Sequence, residues 1–130
     1  MYRVFVYGTL KKGFSNHDRI FAGYDIKITP AWTYGELYDL GHFPAMTEGN
    51  NKVNGELIEF EDPGILRKID RLEGYVGRNN PDNFYDRLEV DVFVDSNTPI
   101  TTWIYLMTNK KIQDIIYEPV LSGVWGKSKD

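Results

Sequence analysis

The chain has 130 residues, the length of one domain, and its 42% apolar and 15% aromatic residues are typical of a globular protein. Its formal net charge of −4 is unfavourable for neutralising phosphates, and no apolar run approaches the roughly 20 residues that cross a bilayer, so neither nucleic acid nor a membrane is an expected partner. The chain contains no cysteine, which excludes disulfides and thiolate nucleophiles and is compatible with the cytoplasmic location that we expect.

The first predicted element is a strand over Arg3 to Tyr7, rich in β-branched and aromatic residues. It runs into a glycine turn, Tyr7 to Lys11, with the sequence YGTLK. Backbone N–H groups in such a turn can point into one spot and hold an anion such as a carboxylate. An ordinary strand end is the simpler interpretation of so short a motif.

The next part of the chain predicts a short helix and two strands. The helix is weakly indicated over Asn16 to Phe21, and the strands cover Ala31 to Leu40 and Val53 to Phe60. The stretch Tyr34 to Ala45 contains the end of the first strand and the Gly/Pro turn that follows it. Its aromatic rings are suited to forming a pocket wall.

The clearest helix follows, over residues 63–73. Asp62 is a suitable N-cap, Pro63 suits the first helical position, and Gly74 supplies the stop. Apolar residues recur between them at helical spacing: Ile65, Leu66, Ile69 and Leu72.

Glu73 has the wrong charge for the last turn of that helix, where exposed carbonyls disfavour a carboxylate. A residue that breaks a local rule hints at function, and a carboxyl with a raised pKa suits proton transfer near neutral pH. The alternative is a solvated glutamate at a frayed helix end.

Two more strands are predicted after a polar, turn-rich loop over Gly74 to Asn83. They cover Tyr85 to Asp95 and Ile100 to Met107, and Lys111 to Tyr117 is either helical or irregular. Tyr105 either offers its hydroxyl to a ligand or is half-buried in the core. Alternation in the first strand predicts one buried face, formed by Leu88, Val90, Val92 and Val94.

No metal or cofactor is expected. His17 and His42 are the only histidines, neither has partners at metal-binding spacing, and both are expected at the surface or in turns. The sequence also lacks a G-x-S-x-G elbow and the glycine-rich signatures of phosphate and dinucleotide sites.

Taken in order, these segments resemble the gamma-glutamylcyclotransferase-like family over nearly the whole chain. The matching stretches are YGTLK, GELYDLGHFPAM, IDRLEGY, YDRLEVDVFV, IYLMTN and LSGVWG. The resemblance implies an α+β fold: a small mixed, largely antiparallel β-barrel with one main helix and short peripheral helices. It also implies a single domain over residues 1–130.

The same resemblance implies an enzyme of the transferase or lyase type. Such an enzyme releases 5-oxoproline from a gamma-glutamyl amine or a gamma-glutamyl amino acid, the small-molecule substrate. Glu73 would be its acid/base residue, Tyr105 a further substrate contact, and Tyr85 part of the same cavity. The glutamyl group would be bound by four consecutive residues: Tyr7, Gly8, Thr9 and Leu10.

Two other classes of protein remain open from the sequence. One is a non-catalytic small-ligand binding domain that keeps the fold and the pocket, which the presence of Glu73 argues against. The other is an interaction protein that engages a partner through strand edges or aromatic patches. The leaving amine and the oligomeric state are also left open.

Overall fold

The computed structural model describes residues 1–95, 98–115 and 117–126, and these contain six strands and three helices. In chain order they are β1 (Tyr2–Val6), α1 (Ser15–Phe21), β2 (Ile26–Asp39), β3 (Pro44–Phe60), α2 (Pro63–Glu73), β4 (Asp86–Phe93), β5 (Pro99–Leu106), α3 (Asn109–Gln113) and β6 (Glu118–Pro119).

Five of the strands close into a barrel. They are hydrogen-bonded in the order β3-β1-β5-β4-β2, and β2 pairs back onto β3. The β1–β5 pair is parallel and the other pairs are antiparallel, while β6 adds to the end of β2. The predicted α+β architecture, a small mixed and largely antiparallel barrel with short peripheral helices, is confirmed. The single domain over residues 1–130 stays a prediction.

The longest part of the barrel wall is the β2–β3 hairpin, and its strands are longer than predicted. β2 begins at Ile26 rather than Ala31, and β3 begins at Pro44 rather than Val53. Residues 47–51 have the sequence TEGNN, which has low strand propensity, and only the first and last of them pair with β2. The register shifts between Gly35 and Glu36, which bends the hairpin.

The second half of β1 is buried on both faces, which explains its apolar run from Val4 to Val6. Val4 and Val6 pack with residues of the three helices, such as Ile20, in one core cluster. Phe5 belongs to the second cluster, which lies between the walls of the barrel. The second cluster also contains Leu37, Met46, Val53, Leu57, Val92 and Ile104.

Helix α2 has the predicted boundaries and caps. The Asp62 carboxylate accepts a hydrogen bond from the Gly64 N–H, Pro63 begins the helix, and Gly74 ends it with a left-handed φ of 67°. Ile65 and Ile69 are fully buried against the barrel. The weakly indicated helix is present as α1. No helix among the described residues has both the length and the apolar character needed to cross a membrane.

The segment predicted as helical or irregular over 111–117 is only partly described. Helix α3 begins two residues earlier, at Asn109, and ends at Gln113. Thr108 caps it, because its hydroxyl accepts from the Lys111 N–H. Residue 116 lies outside the described residues.

The predicted buried face of β4 is wrong at Leu88. Val92 on that face is fully buried, but Leu88 is 43% exposed. β4 pairs with β2 only at Phe93, near its end. The first half of β4 therefore has a strand partner on the β5 side alone, and the barrel does not cover Leu88.

Candidate active site

A cavity of about 180 Å³ opens between the loop after β1, the end of α2 and the start of β3. We call it the central pocket. Its lining is mainly apolar, with a few polar groups, as in most small-ligand sites. The lining residues are Phe5, Val6, Tyr7, Gly8, Thr9, Leu10, Asn16, Phe43, Pro44, Leu72, Glu73, Phe84, Tyr85 and Tyr105.

The structure brings together all the residues predicted for catalysis and for substrate binding. The turn after β1, the last residue of α2 and a residue of β5 all line the central pocket, although they are far apart in the chain. The predicted site residues among them are Tyr7, Gly8, Thr9, Leu10, Glu73 and Tyr105, and Tyr85 lines the same cavity.

The turn after β1 presents backbone donors to the pocket. The Lys11 N–H donates to the Gly8 carbonyl at 3.0 Å and closes the turn. Within the described part of the chain, the N–H groups of Gly8, Thr9 and Leu10 donate to no other group. A Cβ on Gly8 would lie 2.5 Å from Cγ of Pro44, so only glycine fits against this wall. Unused backbone donors in a turn that lines a cavity are chemically suited to an anion.

Two side chains of helix α1 contact this turn. Nδ1 of His17 lies 2.8 Å from the Leu10 carbonyl oxygen, and Asn16 donates from Nδ2 to Oγ1 of Thr9 at 2.8 Å. His17 is buried and packs on Phe21, so the prediction that it lies at the surface or in a turn is wrong. The bond to a carbonyl seven residues away gives the buried ring its polar partner. His42 is exposed, as expected.

Glu73 is placed by the end of α2, where Gly74 turns the chain away from the helix. The residue is half-buried, and its carboxyl group forms no hydrogen bond and no ion pair among the described residues. Burial raises the pKa of Glu73 to about 7. The carboxyl group can therefore gain or lose a proton near neutral pH.

Asp70 lies one helical turn before Glu73 in a contrasting environment. It accepts a hydrogen bond from the Tyr105 hydroxyl at 2.5 Å. It also forms an ion pair with Nη1 of Arg87 at 2.7 Å. The Arg87 guanidinium lies over the Tyr75 ring and over the ring of Trp103 in β5. Sequence reasoning missed this network, because no local pattern indicates which carboxylate of IDRLE will find the arginine.

Two tyrosine hydroxyls brace the wall around Glu73. Tyr7 donates to the Tyr105 carbonyl at 2.5 Å, and Tyr85 donates to the Pro44 carbonyl at 2.6 Å. Burial raises the pKa of both tyrosines well above 10. Smaller contributions come from Tyr85 and then Glu73 for Tyr7, and from Glu73 for Tyr85. Both therefore stay protonated as donors at neutral pH.

Two phenylalanines at the mouth of the pocket were not predicted as site residues. Phe43 and Phe84 are 37% and 38% exposed, and their ring centroids lie 6.0 Å apart. Phe43 and Pro44 belong to the stretch predicted to form a pocket wall, but Tyr34 and Tyr38 of that stretch do not line the cavity. The signal available in the sequence was the residue type, a large aromatic ring in a turn-rich segment.

Over residues 1–95, 98–115 and 117–126, no three side chains of the histidine, cysteine or carboxylate types are grouped closely enough to hold a metal ion.

Comparison with known proteins places the chain beside cyclotransferases. The family model described as "Gamma-glutamyl cyclotransferase, AIG2-like" matches residues 4–127. A protein from Niallia circulans named gamma-L-glutamyl-butirosin B gamma-glutamyl cyclotransferase is 34% identical over 107 residues, which cover 82% of this chain and 67% of that protein.

Solved structures share the fold. An AIG2-like protein from Mus musculus superposes with a TM-score of 0.71 at 20% identity, covering 97% of this chain and 88% of the mouse chain. YkqA from Bacillus subtilis superposes with a TM-score of 0.69 at 26% identity, and the match covers 95% of this chain and 39% of YkqA.

Proposed function

This chain belongs to the gamma-glutamyl cyclotransferase, AIG2-like family, and from that premise we propose that it releases 5-oxoproline from a gamma-glutamyl amine or a gamma-glutamyl amino acid. Glu73 is the acid/base residue of the proposed reaction. The N–H groups of the turn Tyr7 to Leu10 hold the glutamyl group, and Tyr105 contributes to the wall beside it.

The observation that carries the proposal is the state of Glu73. It is the only carboxylate among the residues that line the central pocket, it has no partner among the described residues, and burial raises its pKa to about 7. A carboxyl group with a structural role is normally paired, as Asp70 is. An unpaired one in a pocket with unused backbone donors is equipped for proton transfer.

The reaction needs no protein nucleophile. Ionised Glu73 takes a proton from the substrate's α-ammonium, and the free amine attacks the γ-carbonyl carbon to form the lactam C–N bond. Glu73 returns this proton to the nitrogen of the original γ-amide as that C–N bond breaks, then takes the surplus proton from the new lactam nitrogen and passes it to the departed amine. The products are 5-oxoproline and a protonated amine, Glu73 is ionised again, and atoms and charge balance. The curled substrate supplies its own high effective concentration.

Backbone donors account for the remaining requirement, which is to hold negative charge. The N–H groups of Gly8, Thr9 and Leu10 line the cavity and are unused within the described residues. They are available to the α-carboxylate of the glutamyl group or to the oxyanion that develops on the γ-carbonyl.

The proposal is tested by measuring 5-oxoproline release from a panel of gamma-glutamyl amino acids and amines, including gamma-glutamyl-methylamine. Release above the rate without protein is expected for at least one member. A panel that gives no 5-oxoproline, with ligands that nevertheless stabilise the protein against heat, would contradict catalysis and support a small-ligand binding domain instead.

Glu73→Gln is expected to reduce turnover by at least about 100-fold, because the amide cannot carry the proton, while substrate affinity changes little. The matched control is Glu89→Gln, which makes the same change at an exposed position of β4 outside the central pocket. Single-turnover kinetics and calorimetric titration measure the two quantities separately. A Glu73→Gln enzyme that retains wild-type turnover would remove Glu73 from the mechanism.

A further inference from the structure

We propose that the leaving amine of the substrate carries an uncharged aromatic group that packs on Phe43 and Phe84, which we call the aromatic rim. This inference rests on the proposed function, because it concerns the part of the substrate that departs when 5-oxoproline forms.

The aromatic rim is continuous with the space beside Glu73. Phe43, Phe84 and Glu73 all line the central pocket. The backbone joins them directly, since the Phe84 N–H donates to the Gly74 carbonyl at 2.9 Å and the Tyr85 N–H donates to the Glu73 carbonyl at 3.3 Å. The glutamyl group is held at the turn after β1, so the leaving group extends toward the rim.

The rings of the aromatic rim pack edge to face and leave part of their surface open to a further ring. The Phe43 and Phe84 rings are inclined at 73°, and Phe84 meets Tyr85 edge to face with centroids 4.9 Å apart. More than a third of each phenylalanine is exposed to water at the mouth. Exposed rings at the mouth of a pocket are typical of a ligand contact, and a third ring adds favourable packing.

Charge argues against an amino acid or a lysine-type amine as the leaving group. No lysine, arginine or histidine lines the central pocket, so the carboxylate of a departing amino acid finds no counter-ion there. Outside the pocket, Lys111 lies with Nζ 5.2 Å from the centroid of the Phe84 ring. Its Nζ is held outside the pocket by the Asn83 and Phe84 carbonyls. Glu73, the only carboxylate that lines the pocket, is used by the proposed reaction, so a second ammonium group finds no partner there either.

The test compares four substrates that share the gamma-glutamyl group. They are the adducts of tyramine, of tyrosine through its α-amine, of lysine through its ε-amine, and of methylamine. Tyramine and tyrosine differ only in the carboxylate, and methylamine lacks the ring. We expect kcat/KM for the tyramine adduct to exceed each of the other three by about tenfold or more.

Variants of the rim locate the preference. Phe84→Ala is expected to reduce the ratio of kcat/KM for the tyramine adduct over the methylamine adduct by about tenfold. Tyr34→Ala is the matched control, because it removes an exposed aromatic ring that does not line the central pocket, and the ratio should keep its wild-type value.

The outcomes separate this inference from the proposed function. Release of 5-oxoproline with equal kcat/KM for tyramine and methylamine adducts, or with a preference for the tyrosine or lysine adduct, overturns the inference alone. Absence of release from all four overturns the proposed function. In that case calorimetric titration of the four adducts decides the inference, which is overturned if the tyramine adduct binds no more tightly than the methylamine adduct.

Discussion

At the scale of single residues, the protein keeps the Glu73 carboxyl in an environment that opposes its charge. It ends a helix, where carbonyl groups and the helix dipole disfavour an anion, and it is half-buried in a pocket with mainly apolar walls. Asp70, one turn earlier, meets Arg87 and the Tyr105 hydroxyl instead. Two carboxylates of one helix are thereby separated into one that holds structure and one that is available to exchange a proton.

This arrangement predicts that Glu73 reduces stability when it is ionised. Its pKa rises from 4.5 in the unfolded chain to about 7 in the folded protein. The protonated carboxyl therefore favours folding below pH 4.5, and that contribution is lost as the pH rises through 7. Glu73→Gln should raise the free energy of unfolding at pH 8 by about 1 to 3 kcal/mol and have little effect at pH 5.

Urea denaturation at the two pH values measures this difference. Glu89→Gln serves again as the exposed control, for which no such gain between pH 5 and pH 8 is expected. Equal effects of Glu73→Gln at both pH values would show that the carboxyl has the same pKa in the folded and unfolded states.

At the scale of elements, the position of the turn after β1 depends on its contact with β3. Gly8 lies against Pro44 with no room for a side chain. Gly8→Ala is therefore expected to displace the turn and weaken binding of a gamma-glutamyl substrate about tenfold, because the backbone donors no longer converge. Calorimetric titration in the Glu73→Gln background measures the loss without turnover.

The same contact supplies the control for that prediction. Adding Pro44→Ala to Gly8→Ala removes the ring atoms that the new Cβ would meet, and should recover much of the affinity. Unchanged affinity in Gly8→Ala alone would mean that the turn does not bind the glutamyl group.

A second prediction at this scale concerns the link between α2 and β5. Tyr105→Phe removes the hydroxyl that donates to Asp70 and should lower the free energy of unfolding by about 1 to 2 kcal/mol. In a double-mutant cycle with Asp70→Asn, the two changes should be non-additive by roughly 1 kcal/mol. Strict additivity would show that the hydroxyl and the carboxylate do not interact in solution.

At the scale of the whole molecule, the segment from β6 to Trp125 is hydrogen-bonded to β2 and β3. The Val120 N–H donates to the Leu37 carbonyl, and the Asn54 N–H donates to the Gly123 carbonyl, both at 2.8 Å. Trp125 belongs to the barrel cluster and donates from Nε1 to Asp39 at 3.1 Å. Its carbonyl accepts a hydrogen bond from buried Lys11, which links this segment to the turn that lines the pocket.

Trp125→Ala should therefore destabilise the fold by about 3 kcal/mol, since it leaves a cavity in the barrel cluster and removes a hydrogen bond. Val124→Ala is the neighbouring control: its side chain is 46% exposed, and a change below about 0.5 kcal/mol is expected. Thermal and urea unfolding measure both. Equal effects of the two substitutions would mean that the segment is not part of the folded core.

How much the sequence predicts depends on whether the cause is local. Helix α2 was predicted to the residue, because Asp62, Pro63 and Gly74 act on their own backbone. The first half of β3 was missed, since its conformation comes from pairing with β2. The exposure of Leu88 follows from where β4 meets β2, which no local pattern records.

The site follows the same division. The turn YGTL and the misplaced charge of Glu73 are visible as local features, and the structure brings them together in one pocket. The Asp70 pairing, the support from His17 and the rim formed by Phe43 and Phe84 depend on contacts between distant segments. Their residue types are in the sequence, but their neighbours are not.

The measurement that tests the central claim most directly is the pH dependence of kcat/KM for 5-oxoproline release by the wild-type protein between pH 5 and pH 9. Ionised Glu73 must accept a proton, so kcat/KM should rise with pH through an apparent pKa near 7 and then level off. A rate that does not change between pH 5.5 and pH 8 would contradict the assignment of Glu73 as the acid/base residue.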